Sequence, residues 1–401
     1  MPTLSKKNTI YLLVALAVLV GMMHGEPMWT KVSSTFIKED KPYGPGDFRI
    51  RGDRVISMKL TEPIVTFKPM EERSRPDVAE PTEAWMSDVN ESRNRRSVRI
   101  LAGTLDNPLR TFEERAQKAD WWLAPDWSTA YLATGWMDYH DEPKPNERNT
   151  PQLTKLFKST NQGQDWQQLE WPEHQDITFL RFLDPQRGYL IGWGPRIWRT
   201  TDGGTNWTEL SVPEQARDPN HKRKQFDLVA LGKDGTLRLA FLVRDDTGYH
   251  SQIHVLRWGE NTPKLALRLP EQTVTDMADD GSNRLYILSQ TGLPSYLAGP
   301  DAAPRLSQVS IQRTNGVDVL QTFDKGVTGY ALYTTPSKAL LFDGVDESGL
   351  RPRDLTALSL DGGRTWKQED EGSSAQGGYY DTQTGTRWRV SSYSLYKMVI
   401  P

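Results

Sequence analysis

The sequence predicts an all-β chain of repeated four-stranded units closed into a ring, and three observations predict it. The stretch RTTDGGTNW, ending at Trp207, returns as KSTNQGQDW ending at Trp166 and as LSLDGGRTW ending at Trp366. From DFRIRGDRVISMKL onward, short runs rich in Val, Ile, Leu, Tyr and Thr alternate with turn residues, the pattern of strands joined by tight turns. Stretches with the helical apolar period are scarce. The one segment expected to be helical is RTFEERAQKA, Arg110–Ala119, with two or three turns.

The elements follow in chain order. Lys6 and Lys7 precede Ile10–Met23, an uncharged run of 14 residues. That length suits a signal-peptide core and falls short of the ~20 residues of a comfortable membrane span. The next residues, HGEPMW, offer no small-x-small cleavage site, so a cleaved signal and a retained short anchor both stand. The lysines ahead of the run place the rest of the chain across the membrane. Residues 1–25 are thus a signal or anchor, 26–45 a polar linker, and 46–401 the folded ring. With 401 residues and 14 Trp the chain can bury a large core. Its formal charge of -3 lacks the basic excess of a nucleic-acid binder. With no Cys, disulfides, thiolate metal sites, a Cys nucleophile and lipid attachment at an N-terminal Cys are excluded.

The repeat, Ser/Thr-x-Asp/Asn-x-Gly-x-x-Trp, places Asn161, Gly163 and Trp166 in the first copy, Asp202, Gly204 and Trp207 in the second, and Asp361, Gly363 and Trp366 in the third. The Asp or Asn side chain can bond main-chain groups of its own turn, and the glycine allows positive φ. The Trp opens the next strand with a large apolar surface to bury against a neighbouring unit. These motifs resemble the Asp-box, or bacterial neuraminidase repeat, which closes the hairpin between the third and fourth strands of a β-propeller blade. Asp176–Pro213 is similar to one whole blade of the photosystem II stability/assembly factor type. The resemblance implies four-stranded blades, with further strand sets at 118–171, 225–270, 274–311 and 316–370. The tail GGYYDTQTGTRWRVSSYSLYKMVI supplies three strands, and Phe48–Leu60 is expected to complete that sheet. Residues 63–116 are then an extra blade or an insertion. Seven blades are expected, with six as the alternative, because Trp207 to Trp366 suits either three units of ~50 residues or four of ~40.

Chemistry is harder to place. Sialidases share the repeat, and their early Phe/Tyr-Arg-Ile-Pro motif is similar to FRIR, with Arg49 in the position of the carboxylate-binding arginine and Arg51 replacing the proline. Tyr379 and Tyr380 lie late enough for a tyrosine nucleophile, yet no Glu or arginine partners can be assigned to them. His250 and His254, four apart in a strand, stand about 13 Å from each other, too far for one metal ion. MDYHDE gathers Asp138, His140, Asp141 and Glu142 in an acidic loop. No cofactor and no metal are expected.

Geometry points further. In such a blade, the loops opposite the repeat turns are 137–152, 213–225 and 244–251, which hold Asp138, His140, Arg244 and the basic cluster Arg217, Lys222, Arg223 and Lys224. Loops on a rigid scaffold are common binding surfaces. A second basic run holds Arg93, Arg95, Arg96 and Arg99, and Trp136 is the residue a glycan reader would expose. The expected function is therefore an exported or membrane-tethered, non-enzymatic propeller that binds another protein, as an assembly or stability factor or a periplasmic immunity protein. A sialidase-like hydrolase or a glycan-binding propeller is the alternative.

Overall fold

The computed structural model describes residues 30–32, 47–61, 96–116, 118–137, 151–170, 177–192, 195–217, 226–245, 248–279, 284–291, 309–313, 318–323, 327–335, 339–346, 353–370, 375–381, 384–391 and 394–400. Their strands form seven four-stranded antiparallel sheets. Blade 1 is Asp47–Arg51, Arg54–Thr61, Ser97–Thr104 and Pro108–Arg115. Blade 2 is Lys118–Leu123, Ala130–Met137, Pro151–Ser159 and Gln167–Leu169. Blade 3 is Ile177–Phe182, Gly188–Gly192, Arg196–Thr200 and Thr208–Leu210. Blade 4 is Leu228–Leu231, Leu237–Asp245, Gly248–Leu256 and Lys264–Pro270. Blade 5 is Gln272–Asp279, Leu285–Thr291, Val309–Arg313 and Asp318–Thr322. Blade 6 is Val327–Thr334, Leu340–Asp346, Arg353–Ser359 and Lys367–Asp370. Blade 7 takes Ala375–Asp381, Thr386–Ser391 and Ser394–Val399 and adds Thr30–Val32 from the other end of the chain, with Thr30 opposite Lys397 and Val32 opposite Leu395.

The core is divided among the seams between blades. Each apolar cluster draws on two successive blades, from Ile56, Ile100, Leu132 and Phe157 between blades 1 and 2 to Phe48, Val55, Trp388 and Leu395 between blades 7 and 1. Tyr131 with Leu180, Tyr189 with Phe226, Ile253 with Val274, Tyr286 with Phe342, and Leu341 with Met398 mark the seams in between. A strand sheet buried on both faces explains near-continuous apolar runs such as the fully buried Gly188–Gly192. This is a β-propeller with four-stranded blades, and blade 7 closes the ring with strands from both parts of the chain, leaving Thr30–Val32 as its short outer edge.

Three expectations are corrected. The strand that completes the last sheet is Thr30–Val32, inside the expected linker, while Phe48–Leu60 supplies the first two strands of blade 1. Residues 63–116 are neither an extra blade nor a mere insertion, because Ser97–Thr104 and Pro108–Arg115 are the outer half of blade 1. Arg110–Ala119 is not helical. Pro108–Arg115 pairs instead with Ser97–Thr104, and this sheet pairing overrides helix propensity; Glu113 is held at 2.7 Å by Arg99 across the strands and at 2.8 Å by Arg110 of its own strand. The run Ile10–Met23 lies outside the described residues. Among the described residues no helix is long and apolar enough to cross a membrane.

Because neighbouring strands are antiparallel, the connections between strands one and two leave each blade at the same end as those between three and four. That end holds all three repeat turns and is called the turn face. In blade 3 the two connections bond directly, Gly203 N donating to Gln186 O at 2.8 Å. The connections between strands two and three, and those between blades, leave at the opposite, loop face.

Candidate functional site

The three repeat turns share one hydrogen-bond design. The Ser159, Thr200 and Ser359 hydroxyls donate to Oδ1 of Asn161, Asp202 and Asp361 at 2.8–3.0 Å and accept the main-chain N–H of Gly163, Gly204 and Gly363 at 2.8–2.9 Å. The same Oδ1 accepts the main-chain N–H of Asp165, Asn206 and Thr365 at 2.9 Å. These bonds hold the Asp202 and Asp361 carboxyls below the usual carboxylate range. Each Trp donates from its indole to the carbonyl of the turn glycine at 3.1 Å. The glycine is required. At Gly163 φ is 78° and an added Cβ would sit 2.4 Å from Ile56 of the preceding blade. The turns are therefore seam closures and offer no free reactive group.

At the axis, where first strands of successive blades meet, a second device recurs. Asp120 of blade 2 accepts from its neighbour Trp121 N at 3.0 Å and, across the seam, from Leu180 N and Arg181 Nη1 at 2.7 Å each. Asp276 of blade 5 repeats it, accepting from Met277 N at 2.8 Å and from Leu332 N of blade 6 at 2.7 Å. Arg181 also donates to Val229 O of blade 4 at 3.3 Å. One ion pair thus ties three blades together. Burial pushes the Asp276 carboxyl up to about 6, against the pull of the Leu332 and Met277 amides and the Arg181 charge. Both its oxygens already hold main-chain donors, so the carboxyl acts as an inter-blade latch.

The sialidase expectation can be examined at the same place. Arg49 stands on the first strand of blade 1, its guanidinium 5.3 Å from the Trp121 ring centre. Tyr333 of blade 6 lies under Arg387, 5.3 Å from its guanidinium, and 5.9 Å from the ring of Tyr380. Burial, the largest influence, pushes Tyr333 and Tyr380 up to about 12, so both are protonated phenols near neutral pH. The carboxylates whose charges act on Tyr333 are Asp343 and Asp276; neither is a Glu. Arg387 Nη2 donates to Asp343 Oδ2, and Thr356 donates to Oδ1 at 3.1 Å, leaving Arg387 Nε and Nη1 buried without a partner. Burial pushes Asp343 above its ordinary range while the Arg387 charge pulls against it. The side chain of Tyr379 lies outside the described residues.

His250 and His254 are joined by Gln252, whose amide ends lie 3.1 Å from His250 Nε2 and 3.0 Å from His254 Nε2. Arg268 Nη2 lies 3.2 Å from His250 Nδ1 and can only donate to it. The amide nitrogen of Gln252 faces His250, and its oxygen accepts from His254 Nε2. Burial lowers the His254 pKa. The row is a buried polar ladder in the seam between blades 3 and 4.

Of the residues predicted to bind, Arg217 and Arg244 have a described backbone. Arg217 ends a short 3-10 turn, Glu214–Arg217, on the way from blade 3 to blade 4. Arg244 lies opposite Tyr249, next to the hairpin of blade 4. The side chains of Arg217, Arg244 and Trp136 lie outside the described residues, as do Asp138, His140, Asp141, Glu142, Lys222, Arg223, Lys224, Arg93 and Arg95. Arg99 is in the blade 1 sheet and paired with Glu113. Sequence reasoning missed the axial carboxylates and the Asp343–Arg387 pair. A lone Asp in an apolar strand, as in KADWWL and TVTDMAD, is the signal that could have found the axial pair.

No family model matches the chain. A segment is 40% identical over 65 residues to vacuolar protein sorting/targeting protein 10 of Mycosarcoma maydis, covering 14% of this chain and only 4% of that protein. Among solved structures, the β-propeller domain of the Trilobed protease from Pyrococcus furiosus aligns with TM-score 0.50 and 10% identity over 88% of this chain and 93% of that one. Acylaminoacyl peptidase of Pyrococcus horikoshii aligns with TM-score 0.51 and 11% identity over 90% of this chain and 51% of that one. YCF48 bound to a D1 peptide aligns with TM-score 0.46 and 14% identity over 77% of this chain and 90% of that one. At these identities the two Pyrococcus alignments speak for the propeller fold alone.

Proposed function

We propose that this chain is an exported or membrane-tethered, non-enzymatic propeller that binds another protein with its loop face, in the manner of an assembly factor or a periplasmic immunity protein. The observation that carries this reading is the uneven distribution of its connections. Among the described residues, the turn-face connections of blades 1 to 4 are short and closed by their own hydrogen bonds. At the loop face the second and third strands are joined by 62–96, 138–150, 292–308 and 347–352 in blades 1, 2, 5 and 6. A scaffold of apolar seams whose longest connections share one end suits recognition better than turnover. The charged groups described near the axis are spent on holding blades together, which supports the non-enzymatic reading. Thr30–Val32 enters blade 7 from the turn face. An anchor at 10–23 would therefore set the turn face toward the bilayer and the loop face outward.

A photo-crosslinking residue at position 220 should give one dominant protein adduct in the native cells, and one at position 364 on the turn face should not. Reversing Arg217, Lys222, Arg223 and Lys224 to Glu should slow association with that partner several-fold at low salt, an effect that fades as salt rises. An adduct formed only from position 364, or release of sialic acid from a fluorogenic substrate by the purified protein, would reject the reading.

A further inference from the structure

Among the described residues, the outermost strand of each sheet has one side that no further strand covers. Such an edge is a template for pairing with another chain unless it is short or charged. The edges of blades 2, 3 and 7 are three residues each, Gln167–Leu169, Thr208–Leu210 and Thr30–Val32. Blade 6 ends in four polar residues, Lys367–Asp370, and blade 5 in five, with Asp318 at one end and Gln321 and Thr322 at the other. The blade 1 edge, Pro108–Arg115, is long but carries charges of both signs, Arg110, Glu113, Glu114 and Arg115. Blade 4 stands apart. Its edge, Lys264–Pro270, has seven residues, with Leu265, Ala266, Leu267 and Leu269 among them and no carboxylate. Leu265 is 55% exposed, and Ala266 beside it is exposed as well.

We propose that the blade 4 edge docks an extended acidic segment of a protein partner, which joins the sheet as a fifth strand. Main-chain bonds supply the affinity of such an added strand, and side chains select it. Charge sets the selection here. From Arg257 to Pro270 the chain carries Arg257, Lys264 and Arg268 against one carboxylate, Glu260. Glu260 accepts from Lys264 at 2.9 Å and lies 3.8 Å from Arg257, while Arg268 reaches His250 Nδ1 at 3.2 Å. A second copy of the chain fits worse. Two such edges paired antiparallel about Ala266 set Lys264 of one against Arg268 of the other, and like charges opposed across strands destabilise the pair. Pro263 and Pro270 have no main-chain donor and bound the pairing to residues 264–269. The edge lies on the rim of the propeller, so a strand added there leaves the loop face free.

The sheet itself offers a way to block the edge. Against Gly248–Leu256, Ile253 stands opposite Leu267 and His254 opposite Leu265, so Ala266 is the extra residue of a bulge. Ala266→Pro therefore removes a donor from the edge without taking a rung from the sheet. The test follows the fluorescence anisotropy of labelled acetyl-Glu-Val-Glu-Val-Glu-Val-amide titrated with the full chain. The peptide should bind, and Ala266→Pro or Leu265→Glu should each weaken it by about tenfold at an unchanged melting temperature. Methylation of every main-chain nitrogen of the peptide, or exchange of its glutamates for lysines, should weaken it at least as much. If Ala266→Pro melts lower, Leu265→Glu at its exposed position decides alone. No binding, or binding that survives either methylation or Leu265→Glu, would overturn the site. Equal binding of the lysine peptide would overturn the acidic assignment. Dimers of the peptide-free chain in sedimentation, returned to monomers by Leu265→Glu, would give the edge to a second copy and overturn the partner.

Discussion

The seam between blades 2 and 3 and the seam between blades 6 and 7 solve one packing problem by different means. In the first, Tyr131 stacks on Phe182 with ring centres 3.9 Å apart, and its hydroxyl donates to Pro185 O and Gly203 O at 2.8 and 2.9 Å. Trp207 packs against this cluster from the repeat turn. Every polar group of Tyr131 is thus satisfied by the turns the seam encloses. In the second, the apolar cluster of Leu341, Leu358, Tyr380 and Met398 shares the seam with the Arg387–Asp343 pair, both side chains under a tenth exposed. Blade 7, like blades 1, 4 and 5, has no repeat turn, and in it no hairpin joins the fourth strand to the third, because the fourth comes from the other end of the chain. In this seam an ion pair stands beside the apolar cluster. Apolar burial is non-directional, whereas this pair fits only one alignment of the closing blade.

The largest expected effect breaks the second seam. Asp343→Ala leaves the Arg387 charge buried and unpaired and should cost ~3–5 kcal/mol of stability in urea unfolding. The double variant Asp343→Leu with Arg387→Met should recover most of that loss, since an apolar pair needs no solvation. A double variant as unstable as the single would mean that the alignment of blade 7, and not the uncompensated charge, is what the pair supplies.

The next effect tests the first seam. Trp207 is only half-buried, so Trp207→Ala should cost about 2–3 kcal/mol, less than the ~3–5 of a fully buried Trp. Equilibrium unfolding should show the same loss for Trp366→Ala, whose indole makes the equivalent bond to Gly363. A loss below ~0.5 kcal/mol, the range of an ordinary surface change, would deny the turn its role as a seam closure.

The contrast explains what could be read from the chain. The repeat turns are local: Thr200, Asp202, Gly204 and Trp207 bond within eight residues, so their spacing carries the whole design. Blade 3 was legible for the same reason. Thr30–Val32 was not, because three residues become a strand only by pairing with Ser394–Val399, far along the chain. Asp343 and Arg387 are likewise 44 residues apart, and each alone reads as a surface charge. The left-handed turn at Gln162 was half-visible. The NQG of the first turn departs from the DGG of the others in plain sequence, but the positive φ that makes the departure costly is seen only in three dimensions.

The smallest effect sharpens the comparison within the turns. In the first turn Asn161 Nδ2 donates to Asp165 Oδ2 at 2.7 Å; in the second Asn206 Nδ2 donates to Asp202 Oδ2 at 2.7 Å. The amide and the carboxylate have exchanged places while the bond is kept. Asn161→Asp alone would set two carboxylates against each other and should lower the melting temperature. Adding Asp165→Asn should restore it, since the pair then matches the second turn. Because the groups are exposed, the coupling measured by the cycle should be modest, about 0.5–1 kcal/mol. If the two changes simply add, the side-chain bond across the turn contributes nothing. Closure of the seam would then rest on the glycine contact and the buried part of the Trp alone.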